Sequence, residues 1–80
     1  MENLDSLKDD VIQLEQLLYR ENAGLLYKAV LEKVEKPLIE RVLERTEGNQ
    51  LKAAKILGIN RNTIRTKIKK LAINMGRWKL

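Results

Sequence analysis

Residues 50–69 hold the side chains with the clearest chemical meaning. Lys52, Lys55, Arg61, Arg65, Lys67 and Lys69 alternate with the small or apolar Ala53, Ala54, Leu57, Ile59, Ile64 and Ile68, and no carboxylate interrupts them. Cations regularly interleaved with a narrow apolar stripe suit a helical surface that packs on one side and meets a polyanion on the other. The chain is poorly supplied for catalysis. It has no His and no Cys, its one Ser is Ser6, and every acidic side chain precedes Asn49. Neither a glycine-rich phosphate loop nor an EF-hand spacing occurs. No enzyme activity, no metal site and no cofactor is expected.

The charge along the chain supports the same reading. Residues 1–48 contain seven basic and eleven acidic side chains, whereas residues 49–80 contain nine basic and none acidic. A mixed-charge scaffold thus leads into a module of one sign, for which nucleic acid and an anionic membrane surface are the candidate partners. No segment approaches the roughly 18 apolar residues of a membrane span. The acidic start Met1-Glu2-Asn3-Leu4-Asp5 is unlike a secretory signal or a transit peptide. A soluble cytoplasmic protein is therefore expected.

The elements that position the basic module read as helical. Leu4, Leu7, Val11, Leu14 and Leu18 alternate spacings of three and four, a heptad seam too short to stand alone. Asn22-Ala23-Gly24 reads as a turn. From Leu25 to Arg45 two apolar stripes run side by side, one along Tyr27, Leu31, Val34 and Leu38, the other along Leu26, Val30, Ile39 and Leu43. A helix with so wide an apolar arc must touch two surfaces. Pro37 falls within it, and because the pattern stays in phase on either side, a kink is expected rather than an end.

Gly48 suits a helix stop and Asn49 a helix cap. Gln50 to Leu57 forms the next helix, Gly58 turns the chain, and Asn60 caps a last helix bearing Ile64, Ile68 and Leu71. Ala54 is the small residue that lets two steeply crossed helices approach, and Gly58 provides the positive φ of the turn. In such a helix-turn-helix the second helix enters the major groove with its N-terminal residues leading. These are Asn60, Arg61, Asn62 and Thr63, followed by Arg65, Thr66, Lys67, Lys69 and Lys70. A helical wheel centres the exposed face on Asn62 and Thr66. The tail 72–80, with Gly76 and Trp78, has no clear period.

Eighty residues allow one small domain, and a core of that size usually needs a staple. With disulfides and metal excluded, self-association remains. The expected organisation is all-α and four-helical. Residues 4–48 supply two dimerisation helices, 49–71 the helix-turn-helix, and 72–80 a tail. Val11, Leu14, Leu18, Tyr27, Leu31, Val34 and Leu38 are the expected interface of the homodimer.

Gly48-Asn49-Gln50, Ala53-Ala54, Gly58-Ile59-Asn60-Arg61 and Thr63-Ile64-Arg65 resemble the C-terminal helix-turn-helix of the Fis family. Val34-Glu35-Lys36-Pro37-Leu38-Ile39 resembles that family's segment before the motif. The resemblance covers roughly Leu7 to Asn74. It implies a bacterial, nucleoid-associated homodimer whose first two helices interlock as a four-helix bundle, and which presents two helix-turn-helix units to one duplex site and bends the DNA. By the same resemblance base reading falls on Asn60 and Arg61, with Asn62 as a second-rank reader. Phosphate contacts fall on Asn49, Gln50, Thr63, Arg65 and Lys67, with Lys52, Lys69 and Lys70 beside them. Asn62 stands where the nucleoid-associated branch has glycine, and Thr66 where it has a basic residue. Asn62-Thr63 looks more like the domain that closes NtrC-type, sigma-54-dependent transcriptional activators, which implies an ATPase domain upstream in the same chain. A free-standing Fis-like DNA-bending protein is the alternative, without the N-terminal arm that serves recombinases. A membrane-surface or partner-binding dimerisation module anchored by Trp78 is the alternative of another class.

Overall fold

A computed structural model of the chain describes residues 4–78. Four α-helices follow in order: α1 (Leu4–Leu18), α2 (Leu26–Arg45), α3 (Gln50–Leu57) and α4 (Arg61–Lys70). A 3-10 turn at Met75–Trp78 comes last. The all-α expectation holds, with no strand among the described residues. Pro37 lies within an unbroken α2, so the helix does not end there. Its missing N–H costs one intrahelical bond to the Lys33 carbonyl.

The chain divides into two compact units, one up to Val34 and the other from Glu35. The sequence pattern puts its division at 48/49. In the structure the C-terminal half of α2 belongs with the helix-turn-helix, because Ile39, Val42 and Leu43 are part of that unit's core.

In the first unit the turn after α1 is closed by Asn22. Its backbone N–H and its side-chain amide both donate to the Leu18 carbonyl, at 3.1 and 3.0 Å. Gly24 provides a positive φ of 78°. The turn is therefore where Asn22-Ala23-Gly24 predicts it. Leu7, Val11, Ile12, Leu17, Tyr19, Leu25, Tyr27, Leu31 and Val34 are all exposed, Tyr27 at 80%. Leu14, Leu18, Leu26 and Val30 are half-buried. Both helices of this unit thus keep apolar side chains in water.

The second unit has a real core. Ile39, Val42, Leu43, Ala53, Ala54, Ile64, Ile68 and Ile73 are buried, and Leu57, Ile59, Leu71, Met75 and Trp78 pack against them. Leu43 and Ile64 are wholly inaccessible, each contributing about 1.5–3 kcal/mol on burial. Ala53 and Ala54 are both buried, which lets α3 approach its neighbours closely.

Helices α2, α3 and α4 end in one way. Glu47, Gly58 and Ala72 take the left-handed conformation, at φ 53°, 75° and 55°. The next N–H in each case reaches back five residues: Gly48 to Leu43, Ile59 to Ala54 and Ile73 to Ile68, at 2.8, 3.0 and 3.0 Å. This is the Schellman closure, which satisfies carbonyls that a helix end would otherwise orphan. It corrects two readings. Gly48 is not the first left-handed residue after α2, since Glu47 precedes it in that conformation. The tail is not patternless either, because Ile73 closes α4 and enters the core.

The 3-10 turn is held in two ways. Arg77 faces Glu40 and Glu44 on α2, at 3.8 and 3.5 Å, and its guanidinium lies 4.7 Å from the centroid of the Trp78 ring. Gly48, at φ 83°, has Trp78 so near that a methyl group there would come within 2.6 Å of the Trp78 Cβ.

Gly48 and Gly58 should therefore respond differently to alanine. At Gly58 only the left-handed conformation opposes a Cβ, since nothing lies within 4 Å, so Gly58→Ala should cost about 1–2 kcal/mol. Gly48→Ala should cost more and displace Trp78. Urea unfolding at fixed protein concentration measures the first effect. Native-state emission of the single tryptophan measures the second, and should shift to the red in Gly48→Ala alone.

Candidate nucleic-acid interface

Helices α3 and α4 begin with the same device. The Asn49 Oδ1 accepts from the Lys52 N–H at 3.0 Å, and the Asn60 Oδ1 accepts from the Asn62 N–H at 2.7 Å. Both asparagines are in extended conformation, as an N-cap requires. Each keeps its amide Nδ2 to donate outward. Asn60 thus keeps both amide N–H groups and the second lone pair of its oxygen for a ligand.

Ile64 and Ile68 turn α4 toward the core and so define its outward face. Arg61, Asn62, Arg65, Thr66, Lys69 and Lys70 are exposed, with Thr63 and Lys67 half-buried at the margin. Asn62 and Thr66 form a ridge between two shallow grooves. One, of about 270 Å³, is lined by Asn62, Arg65, Thr66 and Lys69. The other, of about 320 Å³, is lined by Asn62, Thr63, Thr66, Lys67 and Lys70. The helical wheel's centre is therefore the structure's ridge. The Thr66 hydroxyl donates to the Asn62 carbonyl at 3.0 Å, which fixes its rotamer and leaves its oxygen to accept. Asn49, Gln50 and Lys52 sit apart from this face, at the start of α3.

The electrostatics of α4 oppose its own dipole at one end. Its first turn bears Arg61 and no acid, while Lys67, Lys69 and Lys70 fill the last turn. The C-terminal cations suit the macrodipole, but a cation at the N-terminus costs up to about 1 kcal/mol. Arg61, Arg65 and Lys69 have no ion-pair partner among the described residues. These charges face outward unneutralised, ready for an anion from elsewhere.

Lys67 is different. Its ammonium pairs with the Glu35 carboxylate on α2, with both side chains about one-third exposed. Nothing in the local spacing of α4 signals this partner, which lies on another helix. The apolar stripe that a membrane-surface reading needs is also spent internally. Ile64 and Ile68 are buried, and Trp78 packs against the core. No helix among the described residues is long and apolar enough to cross a bilayer.

Residues 30–71 match the family described as bacterial regulatory protein, Fis family. The chain belongs to the Fis family. It is 41% identical over 70 residues to the DNA-binding protein Fis of Aliivibrio fischeri (strain MJ11), covering 88% of this chain and 71% of that protein. The DNA-binding protein Fis of Proteus mirabilis (strain HI4320) is similar to the same extent. Over 52 residues the chain is 56% identical to the DNA-binding transcriptional regulator NtrC of Azospirillum brasilense, which is 65% of this chain and 11% of that protein. No solved structure matches the chain. The Fis family is one of regulatory proteins rather than of enzymes.

The cap at Asn60 separates structure from recognition. Asn60→Ala removes the acceptor and should cost about 1 kcal/mol of stability. Asn60→Asp retains the acceptor and adds a charge that suits the helix start, so its urea midpoint should match or exceed that of the unsubstituted protein.

Proposed function

We propose that this chain binds duplex DNA sequence-specifically as a homodimer and regulates transcription, as the DNA-binding domain of an NtrC-type, sigma-54-dependent activator in the bacterial cytoplasm. The exposed face of α4 carries the proposal: a ridge of Asn62 and Thr66 flanked by Arg61, Arg65 and Lys69, with no acid from residue 48 onward. That face fits the major groove. Asn60 and Arg61 read base edges, with Asn62 as a second-rank reader. Arg65, Lys69 and Lys70, with Thr63 and the α3 start at Asn49, Gln50 and Lys52, hold phosphates.

The homodimer rests on the apolar side chains left in water. Val11, Tyr27, Leu31, Val34 and Leu38 are exposed, with Leu14 and Leu18 half-buried. A second copy would cover them. The NtrC relative's 56% identity supports the activator branch, and an ATPase domain upstream of Met1 in the genomic reading frame would decide for it. A free-standing, DNA-bending Fis-like protein is the second reading, favoured by relatives that match 88% of the chain.

Three outcomes are expected. The unfolding midpoint should rise with protein concentration, as for any obligate dimer; a flat midpoint with monomer mass in solution overturns the dimer. Affinity for duplex should fall with salt at a log–log slope of about −5 to −9, for about 6–10 phosphates neutralised. In competition between a preferred site and random duplex, Arg61→Ala should lose about 1–3 kcal/mol on the preferred site alone. Lys69→Ala should weaken both alike. Equal losses for Arg61→Ala would make it a phosphate clamp and move base reading to Asn62.

A further inference from the structure

Lys67 lines one of the grooves beside the Asn62–Thr66 ridge, yet its charge is met from within the molecule by Glu35. We propose that Glu35 is an internal competitor of DNA: it neutralises Lys67 and withholds it from the phosphate backbone, so that α4 grips non-specific duplex less firmly than its lysine content implies. This inference rests on the DNA-binding reading above and concerns how that interface is tuned.

The physical basis is counterion release. A lysine strengthens duplex binding in any sequence because it displaces condensed cations from phosphate. A Lys–Glu pair has no net charge. Brought to the backbone as a pair it displaces none, and pulled apart it leaves a carboxylate facing the phosphates. Both side chains are only about one-third exposed, which shields the pair from salt more than a fully exposed one. Arg65 and Lys69, on the same helix, have no such partner among the described residues. The pair therefore sets Lys67 apart from Arg65 and Lys69. Base contacts gain no energy from such a lysine, so withholding it lowers non-specific affinity and widens the margin for the preferred site.

The test is a salt titration of the full chain on a random-sequence duplex of fixed length, using Glu35→Gln, Lys67→Gln and the double variant. Glu35→Gln should bind several-fold more tightly, with the log–log slope steeper by about 0.9 per DNA-bound protomer. Lys67→Gln alone should leave the slope of the unsubstituted protein in place. In the double variant the gain should vanish. The inference is overturned if Glu35→Gln changes neither affinity nor slope, or if Lys67→Gln alone flattens the slope, since Lys67 would then already lie on phosphate. A gain that survives in the double variant also overturns it, because loss of a repelling carboxylate would suffice. Circular dichroism on each variant reports folding independently of DNA, and Glu35→Asp, which keeps the charge, should bind like the unsubstituted protein if the fold is intact. Should the unsubstituted protein ignore duplex at every salt, the DNA-binding reading falls and this inference with it; if it binds and Glu35→Gln does not differ, only this inference falls.

Discussion

An α-helix of eight residues does not persist in water, because the cost of nucleating its first turn is not recovered over so few hydrogen bonds. Helix α3 is that short, and it exists because Ala53 and Ala54 are buried between larger neighbours. The two methyl groups bring the α3 backbone close to the side chains of Leu43 and Ile64, which together exclude all solvent. The orientation of α4 follows from that contact, and with it the direction in which Arg61, Asn62 and Arg65 point. A larger residue at either alanine would separate the helices and misplace the exposed face without altering any residue on it.

Much of this was legible from residue type and spacing. The helices, the turn at Asn22-Ala23-Gly24, the asparagine caps and the burial of Ile64 and Ile68 follow from local rules that operate within one or two turns. The unpredicted features are those that join distant segments. Glu35 meets Lys67, Arg77 meets Glu40 and Glu44, and Trp78 meets Gly48. No period encodes such pairs. Glu47 and Ala72 depart from the sequence pattern for another reason: propensity assigns left-handed positions to glycine, whereas here the five-residue closure holds two other residues there. Ile73 carries no helical period because it lies beyond the closure that ends α4.

The candidate interface is also where local rules are broken without visible compensation within the fold. Arg61 stands against the helix dipole, the first turn of α4 lacks acids, and Arg61, Arg65 and Lys69 have no ion-pair partner among the described residues. Natural sequences depart from local consistency mainly where another requirement overrides it. The unpaired cations lie on the exposed face of α4, while Ile64 and Ile68 on its other side are buried. Core packing and unpaired positive charge thus occupy opposite sides of α4.

The return of Arg77 and Trp78 to the end of α2 also orders events in time. Contacts between adjacent helices close short loops and form early, whereas a contact joining the tail to Gly48 must wait for the intervening chain to settle. On a chain emerging from its N-terminus, α2 and α3 are available before the residues that complete their packing have been made. Closure of the surface around Gly48 by the tryptophan is then a late step in folding.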